Sequence, residues 1–193
     1  MGSGELEEAP RPLRVRAFFG LPVPEPQRTE LARFVVECAE AAPDFRWTPA
    51  ANLHLTIRFV GNADRPVVED VADAVAGRSP SGFQLGLGGI GTFGRGRMAR
   101  VVWLGLVAGA EAATALAEAV DAECRRVGLA GEERPFRAHL TLARARAREG
   151  ARLPDLPTPP LLDAWRAGEL ILYSSRPARS GSIYEAIRTV ALR

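Results

Sequence analysis

The sequence predicts an α/β (α+β) fold built as two similar lobes, and three observations predict it. The order strand, helix, strand, helix, strand reads twice along the 193 residues, with matching elements roughly 85 residues apart. Apolar periods of 2 and 3.6 alternate along the chain instead of gathering into separate blocks. Both histidines, His54 and His139, fall in the same local string on equivalent predicted strands. Two copies make a duplicated unit, since a solenoid needs at least three repeats. With 47% hydrophobic and 25% charged residues, the chain has enough apolar material for one substantial core, or for two small lobes sharing an interface.

Residues 13–20 (LRVRAFFG) alternate and end in aromatics, a strand broken by Pro22 and Pro24. Residues 25–42 carry apolar side chains at Leu31, Phe34, Val35 and Cys38, a helical stripe stopped by Pro43. A short extended piece at 45–48 and a Pro-Ala-Ala-Asn loop lead to a strand at 53–61 (LHLTIRFVG). A short helix at 67–76 and a strand at 82–91 complete the first copy. In the second, 100–107 (RVVWLGLV) is a strand, and 111–128 is a helix with Leu116, Val120, Cys124 and Val127 on one face. Next come a strand at 136–143 (FRAHLTLA), a short helix at 160–167, and strands at 169–174 and 182–192. Residues 1–12 read as a flexible tail and 13–193 as a single bilobal domain, with lobes at about 13–91 and 98–175 and a closing strand at 182–192.

All 25 basic residues are arginine, which removes every mechanism that needs a Schiff-base lysine, a lysine–nucleotide adduct or a P-loop lysine. The formal net charge is +2 with a pI near 8.9, so there is no global cationic field and any phosphate contact must be local. Cys38 and Cys124 make neither a disulfide framework nor a CxxC pair, which points to a reducing cytoplasm. The first ten residues lack an apolar signal core and no run of about 18 apolar residues occurs, so neither export nor a membrane is expected.

The strings His54-Leu55-Thr56-Ile57 and His139-Leu140-Thr141-Leu142 carry the chemistry. On a strand, residues two apart share a face, so His54 and Thr56 point one way while Leu55 and Ile57 anchor the other. His139 and Thr141 repeat that arrangement. A two-fold relation between the lobes brings two imidazoles and two hydroxyls around one centre. With an ordinary pKa of about 6.5, one histidine can be neutral while the other is protonated, the general acid–base pair needed to open a phosphodiester. The hydroxyls suit nonbridging oxygens and a nearby arginine suits the developing charge. By strand parity Arg58 points with His54, a secondary phosphate-binding candidate. No HExxH or Cys/His cluster is present, so no metal site is expected.

At these residues the chain resembles the 2H phosphoesterase superfamily, specifically the bacterial and archaeal RNA 2′,3′-cyclic phosphodiesterases, also called 2′-5′ RNA ligases. The flanks agree: Phe18-Phe19, Arg46-Trp47-Thr48-Pro49 before the first motif, Val102-Trp103-Leu104-Gly105, Arg134-Pro135-Phe136-Arg137 before the second, Leu172-Tyr173-Ser174-Ser175, and Tyr184. The resemblance implies two antiparallel-rich sheets lining a central cleft with helices outside. It implies metal-independent, cofactor-free hydrolysis of an RNA 2′,3′-cyclic phosphate end to a 2′-phosphomonoester by a cytoplasmic monomer, with O3′ leaving. In that family's terms His54 is the proton donor and His139 the acceptor, Thr56 and Thr141 hold phosphoryl oxygens, and Arg144 matches a phosphate-contacting arginine. Because the two motifs are locally alike, the order of acid and base rests on the resemblance alone. Phe18 and Phe136 are candidates for stacking a terminal base, or else core residues. Where relatives often have proline directly before the second histidine, this chain has Ala138.

Gly86-Leu87-Gly88-Gly89-Ile90-Gly91 fits GxGxxG by letter, but a dinucleotide site needs a helix to open directly after it, and a β-rich run follows. Gly94-Arg95-Gly96-Arg97 reads as a hairpin tip or a cationic lip over the cleft. Two other readings stay open: turnover of another cyclic phosphate, such as a cyclic nucleotide or an ADP-ribose cyclic phosphate, and a nucleotide- or RNA-binding module without turnover.

Overall fold

The first strand pairs with an element from each half of the chain, and from that pairing the architecture follows. The computed structural model describes residues 13–178 and 181–193, so the expected tail at 1–12 lies outside the described residues. In chain order the elements are β1 (Arg14–Pro22), α1 (Glu25–Ala41), β2 (Phe45–Trp47), β3 (His54–Asp64), α2 (Arg65–Gly77), β4 (Phe83–Arg95), β5 (Met98–Ala108) and α3 (Ala110–Arg126). Then follow β6 (Leu140–Ala145), β7 (Ala151–Arg152), β8 (Trp165–Ala167), β9 (Glu169–Ala178) and β10 (Gly181–Ala191). The strands run in the order β10-β9-β1-β3-β6-β5-β4-β8, all antiparallel, with β2 beside β6 and β7 beside β5.

The two expected sheets meet at a single residue pair, Leu55 opposite Leu140, which joins β3 to β6. Both leucines are buried, so the strands that carry the two motifs touch through the core side of the sheet.

Chain order and spatial halves do not coincide. The strand of 82–91 lies in β4, which pairs with β5 in the second half, while β9 and β10 return to pair beside β1 in the first. The helices cross over too. From α1, Leu31, Phe34 and Cys38 pack against Val102, Leu104, Leu140 and Leu142. From α3, Leu116, Val120 and Cys124 join α2 beneath Phe19, Leu55 and Ile57. Each half is therefore completed by segments distant in sequence.

The helices follow their apolar stripes. Proline occupies the first turn of α1 and of α2, where a missing N–H costs nothing. α3 opens on Gly109 at φ +85°, where a Cβ would come within 2.4 Å of the Gln84 carbonyl oxygen. The helix expected at 160–167 is absent. Residues 160–164 have no regular structure and Trp165–Ala167 forms β8, pairing with Phe83–Leu85 along the edge of β4. That open edge supplies partners for the backbone, which a two-turn stripe cannot signal. The second motif strand starts later than expected, at Leu140, with His139 at the end of the preceding loop. The glycine run Gly86–Gly91 lies within β4 and no helix follows it. No helix among the described residues is long and apolar enough to cross a membrane.

Candidate active site

The two motif strands share more than four letters. From His54 to Phe59 burial runs half-buried, buried, half-buried, buried, buried, exposed, and from His139 to Arg144 it runs the same way. Register explains the pattern. Thr56 pairs with Gly20 and Arg58 with Phe19, leaving Ile57 as an extra residue; Thr141 pairs with Trp103 and Ala143 with Val102, leaving Leu142 extra. Each strand thus carries a β-bulge one residue after its threonine, and beyond it the alternation is inverted. Arg144, which strict alternation would aim into the core, is turned onto the face of His139 and Thr141.

The same inversion corrects the expectation for Arg58. Its side chain is turned inward and 7% exposed, with Nε bonded to Asp121 at 2.7 Å and the guanidinium also reaching the carbonyls of Phe59 and Ala130. Its donors are committed to the fold, and it tethers β3 to α3 and the loop after it.

Each imidazole is oriented through Nδ1. His54 Nδ1 donates to the Asn52 carbonyl at 2.8 Å and His139 Nδ1 to the Arg137 carbonyl at 2.6 Å, in both cases two residues upstream. A carbonyl only accepts, so each Nδ1 holds the proton and each neutral ring presents the Nε2 lone pair. His54 Nε2 lies 3.0 Å from the Thr56 hydroxyl, which donates to it. Burial is the main cause that holds the His54 pKa below its ordinary 6.5; the bond to Asn52 opposes this, while the charges of Arg144 and His139 add to it. His139 is lowered in the same way, by burial first and then by Arg144, against the bond to Arg137. One guanidinium acts on both imidazoles, and among the described residues Arg144 has no carboxylate partner.

Aromatic rings hold the histidines. Phe18 lies 4.7 Å from the His54 ring, Tyr173 stacks on Phe18 at 5.0 Å, and Tyr184 meets His54 edge-on at 5.3 Å. Phe18 is 3% exposed and its faces are occupied, so it supports His54 and is not open to a substrate base. On the other side Phe93 meets His139 edge-on at 5.0 Å and Trp103 lies 6.1 Å from it. The Trp103 ring covers Gly91 so closely that a Cβ there would sit 2.1 Å from it. Phe136 is half-buried, packing on the first core while lining the groove described next.

Thr56, Phe59, Phe93, His139 and Arg144 open onto a groove of about 1100 Å³ that continues beneath the loop carrying Phe136 and Arg137. Sequence reasoning had not placed Phe93, Trp103, Tyr173 or Tyr184 in the site. For Trp103 a signal existed: it stands 85 residues after Phe18, the separation of the two histidines.

The family model for LigT-like phosphoesterases matches this chain twice, over residues 21–103 and 104–184. The chain belongs to the LigT-like phosphoesterase family. Relatives named RNA 2′,3′-cyclic phosphodiesterase include one from Escherichia coli, 30% identical over 179 residues that make up 92% of this chain and 96% of that one. Another, from Aeropyrum pernix, is 32% identical over 59% of this chain and 65% of its own length. A third, from Geobacillus stearothermophilus, is 27% identical over 93% of this chain and 58% of its own. The matched region thus spans less than two thirds of these last two relatives. The structure of E. coli LigT complexed with 3′-AMP superposes with a TM-score of 0.77 at 28% identity, covering 93% of this chain and 99% of that one. The two matched segments each contain one His-x-Thr string and one of the two bulges.

Proposed function

We propose that this chain hydrolyses the 2′,3′-cyclic phosphate at an RNA 3′ end to a 2′-phosphomonoester, using two histidines and no covalent intermediate. The observation that carries this reading is the mirrored pair of Nδ1-anchored imidazoles, each followed two residues on by a threonine, of which Thr56 bonds His54, and Arg144 acting on both. The names of the relatives support the substrate.

In the reaction, water attacks phosphorus as its proton passes to His139 Nε2. The P–O3′ bond breaks and O3′ takes a proton from His54 Nε2. Water is consumed, and proton exchange with solvent restores both rings. Thr56 and Thr141 donate to the nonbridging oxygens, and Arg144 meets the negative charge that gathers there. The assignment of roles has a physical support. His139 faces the groove, where water arrives, while His54 is half-buried among Phe18, Tyr173 and Tyr184. His54 must be protonated to act as acid, although burial and Arg144 lower its pKa. A bound phosphodiester anion offsets Arg144 and raises that pKa where the proton is needed. Both histidines come from one chain, which fits a monomer, and the free buried thiols of Cys38 and Cys124 fit a cytoplasmic setting.

The test is turnover of a short RNA ending in 2′,3′-cyclic phosphate, in EDTA, by wild type, His54→Ala and His139→Ala. Each variant is expected to lose about 10²–10⁴-fold in kcat. A variant that keeps nearly the full rate removes its residue from the mechanism. Loss of wild-type activity in EDTA overturns metal independence, and a 3′-phosphate product overturns O3′ as leaving group.

A further inference from the structure

The arginines of this protein are segregated by how they are paired. Every arginine–carboxylate pair among the described residues involves an arginine of β1, α1, β3, α2 or the residue after it, α3, β9 or β10. The strands β2, β4, β5 and β6 contribute none. They also contain no Asp or Glu, and one arginine each: Arg46, Arg95, Arg100 and Arg144.

Register puts these four on one face. Arg46 stands opposite Arg144 across β2 and β6, with the neighbours Phe45 and Ala143 buried on the other side. Val101 pairs with Arg144 and with Phe93, and Arg100 is the extra residue of a further bulge, exposed beside the buried Ala99. Arg95 follows Phe93 by two residues on β4 and so shares its face. Phe93 touches His139, which makes this the catalytic face. Across four strands spaced about 4.8 Å apart, the cationic row extends roughly 14 Å from β2 to β4. The groove beside Thr56 is of mixed charge, lined by Glu118, Glu132 and Glu133 together with Arg125, Arg134 and Arg137. A polyanion leaving the catalytic centre therefore meets mixed charge along the groove and, along these four strands, arginine with no carboxylate.

We propose that Arg46, Arg95 and Arg100 form a sequence-independent track for the backbone of the RNA strand on the 5′ side of the cyclic phosphate, making this enzyme selective for polymeric ends over mononucleotides. The proposal rests on the cyclic-phosphate reading above. Arginine forks suit phosphate oxygens, and a row on sheet strands is already positioned. Net charge hides the row, because the whole chain carries 23 Asp and Glu against its 25 Arg.

The test compares kcat/KM on adenosine 2′,3′-cyclic phosphate with that on a single-stranded RNA of about 15 nucleotides ending in 2′,3′-cyclic phosphate, across a KCl series, for wild type and the triple variant Arg46→Gln/Arg95→Gln/Arg100→Gln. The triple variant is expected to lose about tenfold or more on the oligomer, to keep its rate on the mononucleotide, and to lower the oligomer's log–log salt slope by about 2, at roughly 0.7 per phosphate contact. An equal loss on both substrates, or an oligomer slope that the substitutions leave unchanged, overturns the track while leaving the hydrolytic reading intact. Wild type that turns over neither substrate overturns the hydrolytic reading, and the track with it.

Discussion

The two motif strands are alike in backbone and unlike in surroundings. Both present histidine and threonine, bulge at the next apolar residue, and bond Nδ1 to a carbonyl two residues back. Around them the environments diverge. His54 is enclosed by Phe18 and two tyrosines, whereas His139 borders an open groove with Phe93 and Trp103 at its side. Beyond the bulge, the first strand turns Arg58 inward and Phe59 outward, and the second turns Ala143 inward and Arg144 outward. Duplication thus supplies a symmetric frame, and the side chains placed on it make one half a structural clamp and the other the cationic side of the site. The capping of Phe59 fits this division, since Arg16 lies 4.9 Å over its ring.

Exchanging the roles of the two arginines is the strongest way to break that comparison. Arg144→Gln is expected to lower kcat/KM by about 10²-fold, the scale of one lost oxyanion donor. It should also move the pH profile. Both histidines lie below 6.5 in part because of this cation, so removing it raises both pKa values and shifts both limbs of the bell toward alkaline pH. In wild type the acidic limb, which the proposed base His139 would set, is expected below pH 6.5. As the rings interact, the limbs report the pair. Phe59→Ala removes no charge and should leave the limbs where they are. A profile unmoved in Arg144→Gln would detach that residue from the histidines.

Arg58→Met probes the clamp. It removes the Arg58 bond to Asp121, which keeps Arg125 and the Glu132 N–H, and should cost about 1.5–3 kcal/mol in urea unfolding while kcat of the folded protein stays within a small factor. Arg144→Gln, being exposed, should cost under about 0.5 kcal/mol. If Arg58→Met proved as stable as wild type but catalytically dead, the inward orientation would be refuted.

A finer contrast lies in two glycines. Gly91→Ala drives a methyl into the Trp103 ring and should cost about 1–3 kcal/mol, with a change in tryptophan fluorescence. At Gly20 an added Cβ would lie 3.2 Å from His54 Cδ2, close enough to press the ring by a few tenths of an ångström. Gly20→Ala should therefore lower kcat modestly without altering stability much. Equal effects at both positions would mean that Trp103 yields more readily than its packing indicates.

Much of this molecule was legible residue by residue. Helical stripes at Leu31, Phe34 and Cys38 and at Leu116, Val120 and Cys124, strand alternation around both histidines, and the 85-residue offset were all readable, because each depends on neighbours within one or two turns or on a repeat within the string itself. What misled strand parity was the bulge. An extra residue is defined only against the partner strand, so nothing local to Thr56-Ile57-Arg58 distinguishes it from a regular run, and Arg58 and Arg144 exchange faces accordingly. The helix expected at 160–167 failed for a related reason, since the free edge of β4 that captures Trp165–Ala167 lies some 80 residues away in sequence.

The chain alone determined the inventory: two histidines, two threonines, arginine as the only strong cation, and strands that present them at a period of 2. Tertiary structure decided the partners: which helix covers which half, which rings enclose His54, which arginine reaches the site, and which are left without carboxylates along β2, β4, β5 and β6. The physical reason is range. Propensity and periodicity act over a few residues, whereas register, burial and charge pairing are settled between segments that meet only when the chain has folded.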